Sequence, residues 1–259
     1  MMLAIDIGNT NTAVGLFRGR RLVRRFTLPT SMARGPGRLR KKLEAAGGRS
    51  HEAVVCSVVP WATPNIVRAL RAAGCPRVRA VGRNLRVPLR NRYRYPRQVG
   101  QDRLVGAYAA WKRFKRDCIV CDFGTAITID VVTKQGEYLG GVIAPGLEIS
   151  LDALATRTAL LPKVELKEPP ELLGRDTANS IRAGLLYGCA ALCDGLVEQL
   201  KRRYVPHATV VATGGASPFI AKHASCINHL RPHLVLEGLY ALSGLSQHAR
   251  KPSRASRLR

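Results

Sequence analysis

One strand-and-turn pattern occurs twice in the chain and sets the strongest limit on its fold. The first copy reads LAIDIGNTNT over residues 3–12, and the second reads CIVCDFGTAIT over residues 118–128. In each copy a short apolar run, typical of a buried strand, leads into an aspartate, a glycine and small polar residues. The glycine lets the backbone approach a ligand closely, and free N–H groups can donate to phosphate oxygens. The pattern predicts two phosphate-binding loops that face each other.

The segments around the two copies predict a duplicated α/β architecture. Each copy opens an antiparallel meander, predicted as strands 3–8, 13–17 and 22–26 in the first half and as strands 118–122, 128–132 and 138–143 in the second. Helices follow each meander, and two of them are predicted to start at N-caps Thr63 and Thr177. We expect an α/β fold with two mixed five-stranded sheets flanked by helices and a nucleotide cleft between them.

The predicted domains are residues 1–116 and residues 117–248. A helix opened by Asp102 would connect them, because its apolar residues follow helical spacing as far as Phe114. Residues 249–259, rich in arginine and serine, are predicted to form a disordered basic tail. The sequence contains no GxxxxGK[ST] pattern, so the phosphate loops are not of the Walker type.

The positive charge of the chain is concentrated in its first half. Net charge is +25, and residues 1–116 hold 26 basic and 4 acidic residues. Such an excess indicates anionic partners, such as nucleotides, phosphorylated metabolites or nucleic acid. We favour ordinary solvated arginines over a nucleic-acid surface, because most of them are spread out without stacking aromatic residues between them. The segment RNRYRYPR at residues 90–97 is the exception.

The cysteines and the hydropathy pattern indicate a reducing compartment. The seven cysteines are scattered, and several lie inside apolar runs, as reduced core thiols do. A metal site is not favoured, since Cys118 and Cys121 lie in a predicted strand and Cys189 and Cys193 in a predicted helix. No apolar run reaches the roughly 18–20 residues that cross a bilayer, and no signal-peptide pattern is present. We therefore predict a soluble cytoplasmic protein without a membrane partner.

Several short motifs in a fixed order resemble one enzyme family. They are DIGNTN at 6–11, YRYP at 93–96, VGQDR at 99–103, DFGT at 122–125, GGVIAPG at 140–146 and DT at 176–177, followed by Ile181-x-x-Gly184. No single motif is specific, but together they resemble the type III pantothenate kinases. That family belongs to the actin, heat-shock chaperone and sugar-kinase superfamily, whose members have paired ribonuclease H-like domains.

The resemblance implies ATP-dependent phosphorylation of pantothenate to 4'-phosphopantothenate, the first step of coenzyme A biosynthesis. It also implies ATP with Mg²⁺, a monovalent cation (K⁺ or NH₄⁺), and a homodimer with the substrate pocket at its interface. Two alternatives stay open. One is a non-catalytic regulatory or nucleic-acid-associated protein on the same fold. The other is a relative that acts on another small alcohol or on phosphate esters.

The resemblance assigns roles to individual residues. Asp102 corresponds to the general base, and Arg103 suits a bidentate grip on the pantothenate carboxylate or amide. Asp122 corresponds to the ligand of the monovalent cation, and Asp6 would hold Mg²⁺ through water. The substrate-binding positions correspond to Tyr93, Gly100, Gln101, Asp102, Arg103 and Thr177. The ATP-binding positions correspond to Asp6, Ile7, Gly8, Asn9, Thr10, Asn11, Thr12, Ala13 and Thr125.

Simpler roles remain open for some of these residues. Asp102 could only cap its helix, and Tyr93 could be a surface aromatic residue. A buried Asp122 needs a cation or a donor in any case, because an unpaired buried charge is costly. Three residues depart from the family pattern: Gln101 replaces a small residue, while Tyr95 and Asp176 replace asparagines.

Overall fold

The computed structural model describes residues 1–47 and 50–245, so the predicted tail at 249–259 lies outside the described residues. The strands are β1 (Met2–Ile7), β2 (Asn11–Arg18), β3 (Arg21–Pro29), β4 (Glu52–Ser57), β5 (Arg77–Ala80), β6 (Arg90–Asn91), β7 (Cys118–Phe123), β8 (Ala126–Val132), β9 (Glu137–Pro145), β10 (Thr209–Thr213) and β11 (His229–Leu230). The α-helices are α1 (Pro36–Gly47), α2 (Ala62–Ala72), α3 (Gln101–Phe114), α4 (Leu147–Arg157), α5 (Thr177–Arg203), α6 (Ser217–Ile220) and α7 (Leu234–Ser243).

The first sheet is mixed and has its strands in the order β3-β2-β1-β4-β5. β1 pairs antiparallel with β2 and parallel with β4. Leu3 and Ile5 of β1 pack in a core with residues of α1 and α2, whereas Ala4 packs in a second core with residues of α7. Because successive side chains of a strand point to opposite faces, both faces of β1 are buried. This double burial explains the continuous apolar character of the strand.

The second sheet repeats the meander and adds one strand. β7 pairs antiparallel with β8 and parallel with β10, and the full order is β11-β10-β7-β8-β9-β6. The predicted fold class is confirmed, but the expectation of five strands is wrong for this sheet. The sixth strand, β6, comes from the basic segment and pairs in parallel with β9. Arg90 and Arg92 reinforce that pairing, since both bind Glu137, at 3.0 and 2.7 Å.

Two helices connect the sheets. Val105 and Tyr108 of α3 lie in the core under the first sheet, whereas Leu104 and Ala107 lie in a core with β7. α7 follows the second sheet along the chain but packs against β1, β2 and β4 of the first. Gly238 permits a close approach of α7 to α3, because a Cβ there would collide with the backbone of α3. The domain boundaries at 116/117 and 248 stay predictions.

Both predicted N-caps are wrong, because the local polar groups are used differently. Thr63 lies inside α2, and its hydroxyl donates to Ser57 Oγ at 2.7 Å instead of capping the helix. The N-cap of α5 is Asp176, whose Oδ1 accepts the backbone N–H of Asn179 at 2.8 Å. Thr177 is therefore the first residue of α5.

α5 is long and apolar enough to cross a bilayer by length and composition alone, with a mean hydropathy of 1.3. It contains Arg182 and Asp194, however, and one side of it is part of the core under the second sheet. The buried residues on that side include Leu186, Ala190, Cys193 and Val197. We interpret α5 as a core helix of the second sheet.

Candidate active site

The two glycine loops predicted from the sequence meet in the structure. Thr10, in the turn between β1 and β2, lies opposite Thr125, in the turn between β7 and β8. Their Oγ1 atoms are 3.4 Å apart, although 115 residues separate them in the chain. The turns end the central strands of the two sheets, so the duplicated meander is what brings them together.

A cavity of about 600 Å³ opens beside these turns, and its lining contains three aspartates together with Glu148 of α4. Asp6 comes from the end of β1, Asp122 from the end of β7, and Asp102 from the first turn of α3. Gly100 precedes α3, and a Cβ at this position would collide with the Asp102 carboxylate. The glycine therefore leaves the carboxylate room at the edge of the cavity.

Burial and neighbouring negative charges disfavour ionisation of the three aspartates. Burial raises the pKa of Asp6 well above its usual range, and the charges of Asp102 and Asp122 raise it further. Burial, followed by the charges of Asp102 and Asp130, raises the pKa of Asp122 to about 7. Burial also raises the pKa of Asp102, which the N–H bond from Arg103 offsets in part. Such a cluster is stabilised by bound cations.

The oxygen atoms of these carboxylates suit cations that keep part of their bound water or phosphate. Across residues 1–47 and 50–245, no group of three or more His, Cys, Asp and Glu side chains is placed to hold a metal ion. Mg²⁺ retains water readily and is commonly bound through one or two carboxylates plus substrate phosphates. Asp6 fits that mode, and Asp122 can supply one carboxylate to a monovalent cation.

Glycines bring the backbone close to the carboxylates and to the second loop. Gly214, after β10, has a φ of +91°, and a Cβ there would collide with the Asp122 carboxylate and the backbone of Phe123. Gly146 precedes α4, and its Cβ would collide with the backbone oxygens of Gly124 and Thr125. The N-terminal end of α4, which favours anions, therefore lies directly beside the second loop.

The residues of the first loop divide into cavity lining and support. Those that line the cavity are Asp6, Gly8, Asn9, Asn11 and Ala13. Thr12 is 3% exposed, and its Oγ1 lies 3.0 Å from the hydroxyl of Thr30, which donates to the Gly8 oxygen at 2.7 Å. Thr12 thus braces the loop from behind, and the side chain of Ile7 is buried in the core.

The candidate substrate residues are only partly brought together. Asp102 and Arg103 line the cavity, and the Tyr93 ring lies against Gly140 of β9. The side chain of Gln101 packs against Gly82, a turn residue outside the cavity lining. Thr177 is exposed at the start of α5 and does not line the cavity of its own chain.

Arg103 is held by an acidic residue that the sequence interpretation did not include. Its Nε and Nη2 donate to the carboxylate of Asp130 on β8, with Nη2–Oδ1 at 2.6 Å. Tyr138 donates its hydroxyl to the same Oδ1 at 2.7 Å. One bidentate edge of Arg103, formed by Nε and Nη2, is therefore used within the protein.

Comparisons with known proteins identify the family. The family model described as "Type III pantothenate kinase" matches residues 2–199. The chain is 41% identical to a type III pantothenate kinase of Syntrophotalea carbinolica over 249 residues, which cover 93% of this chain and 98% of that protein. The chain belongs to the type III pantothenate kinase family. A family member from Myxococcus xanthus is 38% identical over 94% of this chain and 98% of its own length.

Solved structures with low sequence identity share the fold of this type III pantothenate kinase family member. A putative Baf family transcriptional activator from Campylobacter jejuni superposes with a TM-score of 0.61 at 18% identity, covering 93% of this chain and 96% of that one. A putative 2-dehydro-3-deoxygalactonokinase from Sinorhizobium meliloti gives 0.57 at 13% identity, with 94% and 98% covered. These likenesses confirm the actin-like sugar-kinase fold.

Two cavity residues have no individual signal in the sequence. Arg25 on β3 and His233 before α7 line the cavity, and Arg25 Nη1 lies 3.3 Å from His233 Nε2. Burial and the charge of Arg25 lower the pKa of His233, so the neutral imidazole accepts from the guanidinium. These residues are 208 positions apart, and only the folded structure pairs them. Asp130 does have a signal, because it interrupts the apolar run ITIDVV at residues 127–132.

Proposed function

We propose that the chain phosphorylates pantothenate with ATP to give 4'-phosphopantothenate, the first step of coenzyme A biosynthesis. The observation that carries the proposal is the convergence of both phosphate loops and Asp102 on one cavity. A phosphoryl transfer enzyme needs mainly positioning, charge neutralisation and a group that accepts the alcohol proton. The cavity provides a group for each of these tasks.

Each part of the cavity has a role in this reaction. The loops at residues 8–11 and 124–125 hold the phosphates from opposite sides, and Gly214 gives the nucleotide a close approach to the second sheet. Asp102 accepts the proton of the substrate's primary alcohol. Mg²⁺ carried by ATP would be held through water by Asp6 and would neutralise phosphate charge. Asp122 would hold the monovalent cation, K⁺ or NH₄⁺.

A coupled assay of ADP release tests the proposed reaction. With purified protein and Mg-ATP, we expect turnover that depends on pantothenate and increases when K⁺ is added. Reactions without pantothenate, and with glycerol as another small alcohol, are the controls. Turnover with glycerol but not with pantothenate would favour a relative of different specificity. Absence of pantothenate-dependent ADP release would contradict the proposal.

The basic segment gives little support to a nucleic-acid function. Arg90 and Arg92 are both paired with Glu137, so part of the positive charge of this segment is neutralised within the chain. Tyr93 packs against Gly140 instead of presenting both faces of its ring for base stacking. These contacts favour a structural role for the segment at the edge of the second sheet. We therefore propose that the protein is a metabolic enzyme of the cytoplasm and does not act on nucleic acid.

The exposed side of α5 supports the proposal of a homodimer. Gly184, Gly188 and Gly195 recur on this side, and a Cβ at each position would meet no heavy atom within 4 Å. Glycine inside a helix costs about 1 kcal/mol relative to alanine, so three of them weaken α5 unless close packing requires them. A second copy packed against this side would supply that reason. It would also give a role to Thr177, which is exposed at the start of the same helix.

Replacing Gly188 by leucine is expected to convert the dimer to a monomer. The leucine side chain would keep the backbones of two packed helices apart, while in the single chain it enters open space. Size-exclusion chromatography with light scattering measures the mass, and Gly188→Ala is the matched control that should stay dimeric. If Gly188→Leu has the same mass as the unaltered protein, α5 does not form the dimer interface.

A further inference from the structure

Asp130 is a buried carboxylate that the proposed reaction does not use. It is 2% exposed in the middle of β8, yet four donor groups of neighbouring side chains bond to it. Arg103 donates through Nε at 3.1 Å and Nη2 at 2.6 Å, Tyr138 through its hydroxyl at 2.7 Å, and Thr128 through its hydroxyl at 3.3 Å. The carboxylate is therefore fully occupied by donors.

Neighbouring glycines make room for this arrangement. Gly141 lies opposite Asp130 in the β8–β9 pairing, and a Cβ at Gly141 would collide with the backbone of Ile129 and approach Asp130 Oδ1 to 2.5 Å. Gly140 has a φ of +123°, and its open face is covered by the ring of Tyr93. Gly141 thus leaves room for the Asp130 carboxylate, and Gly140 leaves room for the Tyr93 ring.

A buried ion pair is weak evidence of a role in stability. Taking both charges out of water costs about as much as their attraction returns, and well-packed apolar residues often replace such pairs without loss. The Arg103–Asp130 pair is nevertheless buried, with side chains 9% and 2% exposed. Its position beside the catalytic carboxylate offers a functional reason, because Arg103 directly follows Asp102 on α3.

The pair fixes the free end of the Arg103 guanidinium. Asp130 occupies Nε and Nη2, and the planar guanidinium cannot turn without breaking both bonds. The described hydrogen bonds of Arg103 leave Nη1 unused, and Arg103 lines the cavity that contains Asp102. A fixed guanidinium loses less conformational entropy on binding than a free one.

We propose that Asp130 is a positioning residue, which orients Arg103 so that its remaining N–H groups bind the polar end of the substrate. Asp130 affects the binding of the alcohol substrate through Arg103 and does not contact the substrate itself. The proposal rests on the proposed role of Arg103 in substrate binding. It also refines that role, because Asp130 holds the Nε–Nη2 edge and leaves Nη1 and the outer N–H of Nη2 for the substrate.

The test is the effect of Asp130→Asn on the two Michaelis constants. We expect KM for pantothenate to rise about tenfold or more, while KM for ATP changes less than about twofold. A merely structural role would lower the active fraction without separating the two constants. Glu137→Gln is the matched control, since Glu137 is another arginine-paired carboxylate, on the adjacent strand, and lies outside the cavity lining. It should leave both constants unchanged.

A double-mutant cycle shows whether Asp130 acts through Arg103. Arg103→Gln alone should raise KM for pantothenate, and adding Asp130→Asn to it should change KM less than about threefold, because the oriented group is already absent. Additive effects would overturn the positioning role. If Arg103→Gln leaves KM unchanged while pantothenate is still phosphorylated, the role of Arg103 fails and the overall activity stands.

Tyr138→Phe keeps the proposal testable if Asp130→Asn does not fold. This variant removes one donor to Asp130 and leaves the Arg103–Asp130 bonds in place. We expect a rise of about two- to fivefold in KM for pantothenate alone, since the carboxylate loses part of its support. If Asp130→Asn does not fold, an unchanged KM for pantothenate in folded Tyr138→Phe would overturn the proposal.

Discussion

Replacing Asp102 by asparagine is expected to lower kcat for pantothenate phosphorylation by about 10²–10⁴-fold. Asparagine has the same size and can still accept the backbone N–H of Arg103, but it cannot accept the alcohol proton. KM for pantothenate should stay within about threefold, because the loss is confined to the transition state. Steady-state ADP release measures both constants. Full activity in Asp102→Asn would show that another group accepts the proton.

Asp117→Asn is the matched control for this change. Asp117 Oδ1 accepts the backbone N–H of Lys134 at 2.7 Å, a bond that asparagine can retain, and the residue lies outside the cavity lining. Its kcat should equal that of the unaltered protein.

The pH dependence of the unaltered protein adds a check, because burial raises the pKa of Asp102. The acidic fall of kcat/KM should therefore lie at higher pH than for an ordinary aspartate.

The loops and the carboxylates could be predicted because their signals are local. An apolar strand followed by aspartate and glycine specifies a tight turn and a nearby charge wherever the strand lies in the fold. Both copies are found at the ends of central strands, and their threonines meet at 3.4 Å. The roles of Tyr93 and Asp102 came from the family resemblance, since neither residue has a strong local signal.

Other features depend on contacts between distant parts of the chain. β6 has two residues and forms only because it pairs with β9, 47 residues further along. Thr63 was predicted as an N-cap from its place before Pro64. In the fold its hydroxyl instead donates to Ser57 Oγ, an acceptor that the local sequence pattern does not reveal. Asp130 was recognisable as an ionisable residue in an apolar run, which requires a partner when buried. The sequence does not identify that partner as Arg103.

Replacing Asp122 by asparagine is expected to abolish activation by K⁺ and to make the protein more stable at pH 8 without cations. The pKa of Asp122 is about 7 in the folded protein, against about 3.9 when unfolded. The folded state therefore binds more protons between these values, so the free energy of unfolding falls as pH rises from about 4 to about 7 and then levels off. Because the side chain lines a water-accessible cavity, we expect about 2 kcal/mol from this effect, or roughly 5 °C in Tm.

The pH and cation dependence of Tm separates this effect from a simple change in packing. The advantage of Asp122→Asn should shrink at pH 5, where Asp122 is protonated, and K⁺ at pH 8 should raise Tm only in the unaltered protein.

Asp194→Asn is a control of opposite sign. Burial raises the pKa of Asp194, but hydrogen bonds from Cys226 and Ser225 outweigh it and the pKa is lowered. That carboxylate stabilises the fold above its unfolded pKa, so its loss should lower Tm at pH 8. If Asp122→Asn also lowers Tm at pH 8, or keeps its response to K⁺, Asp122 is not the cation ligand.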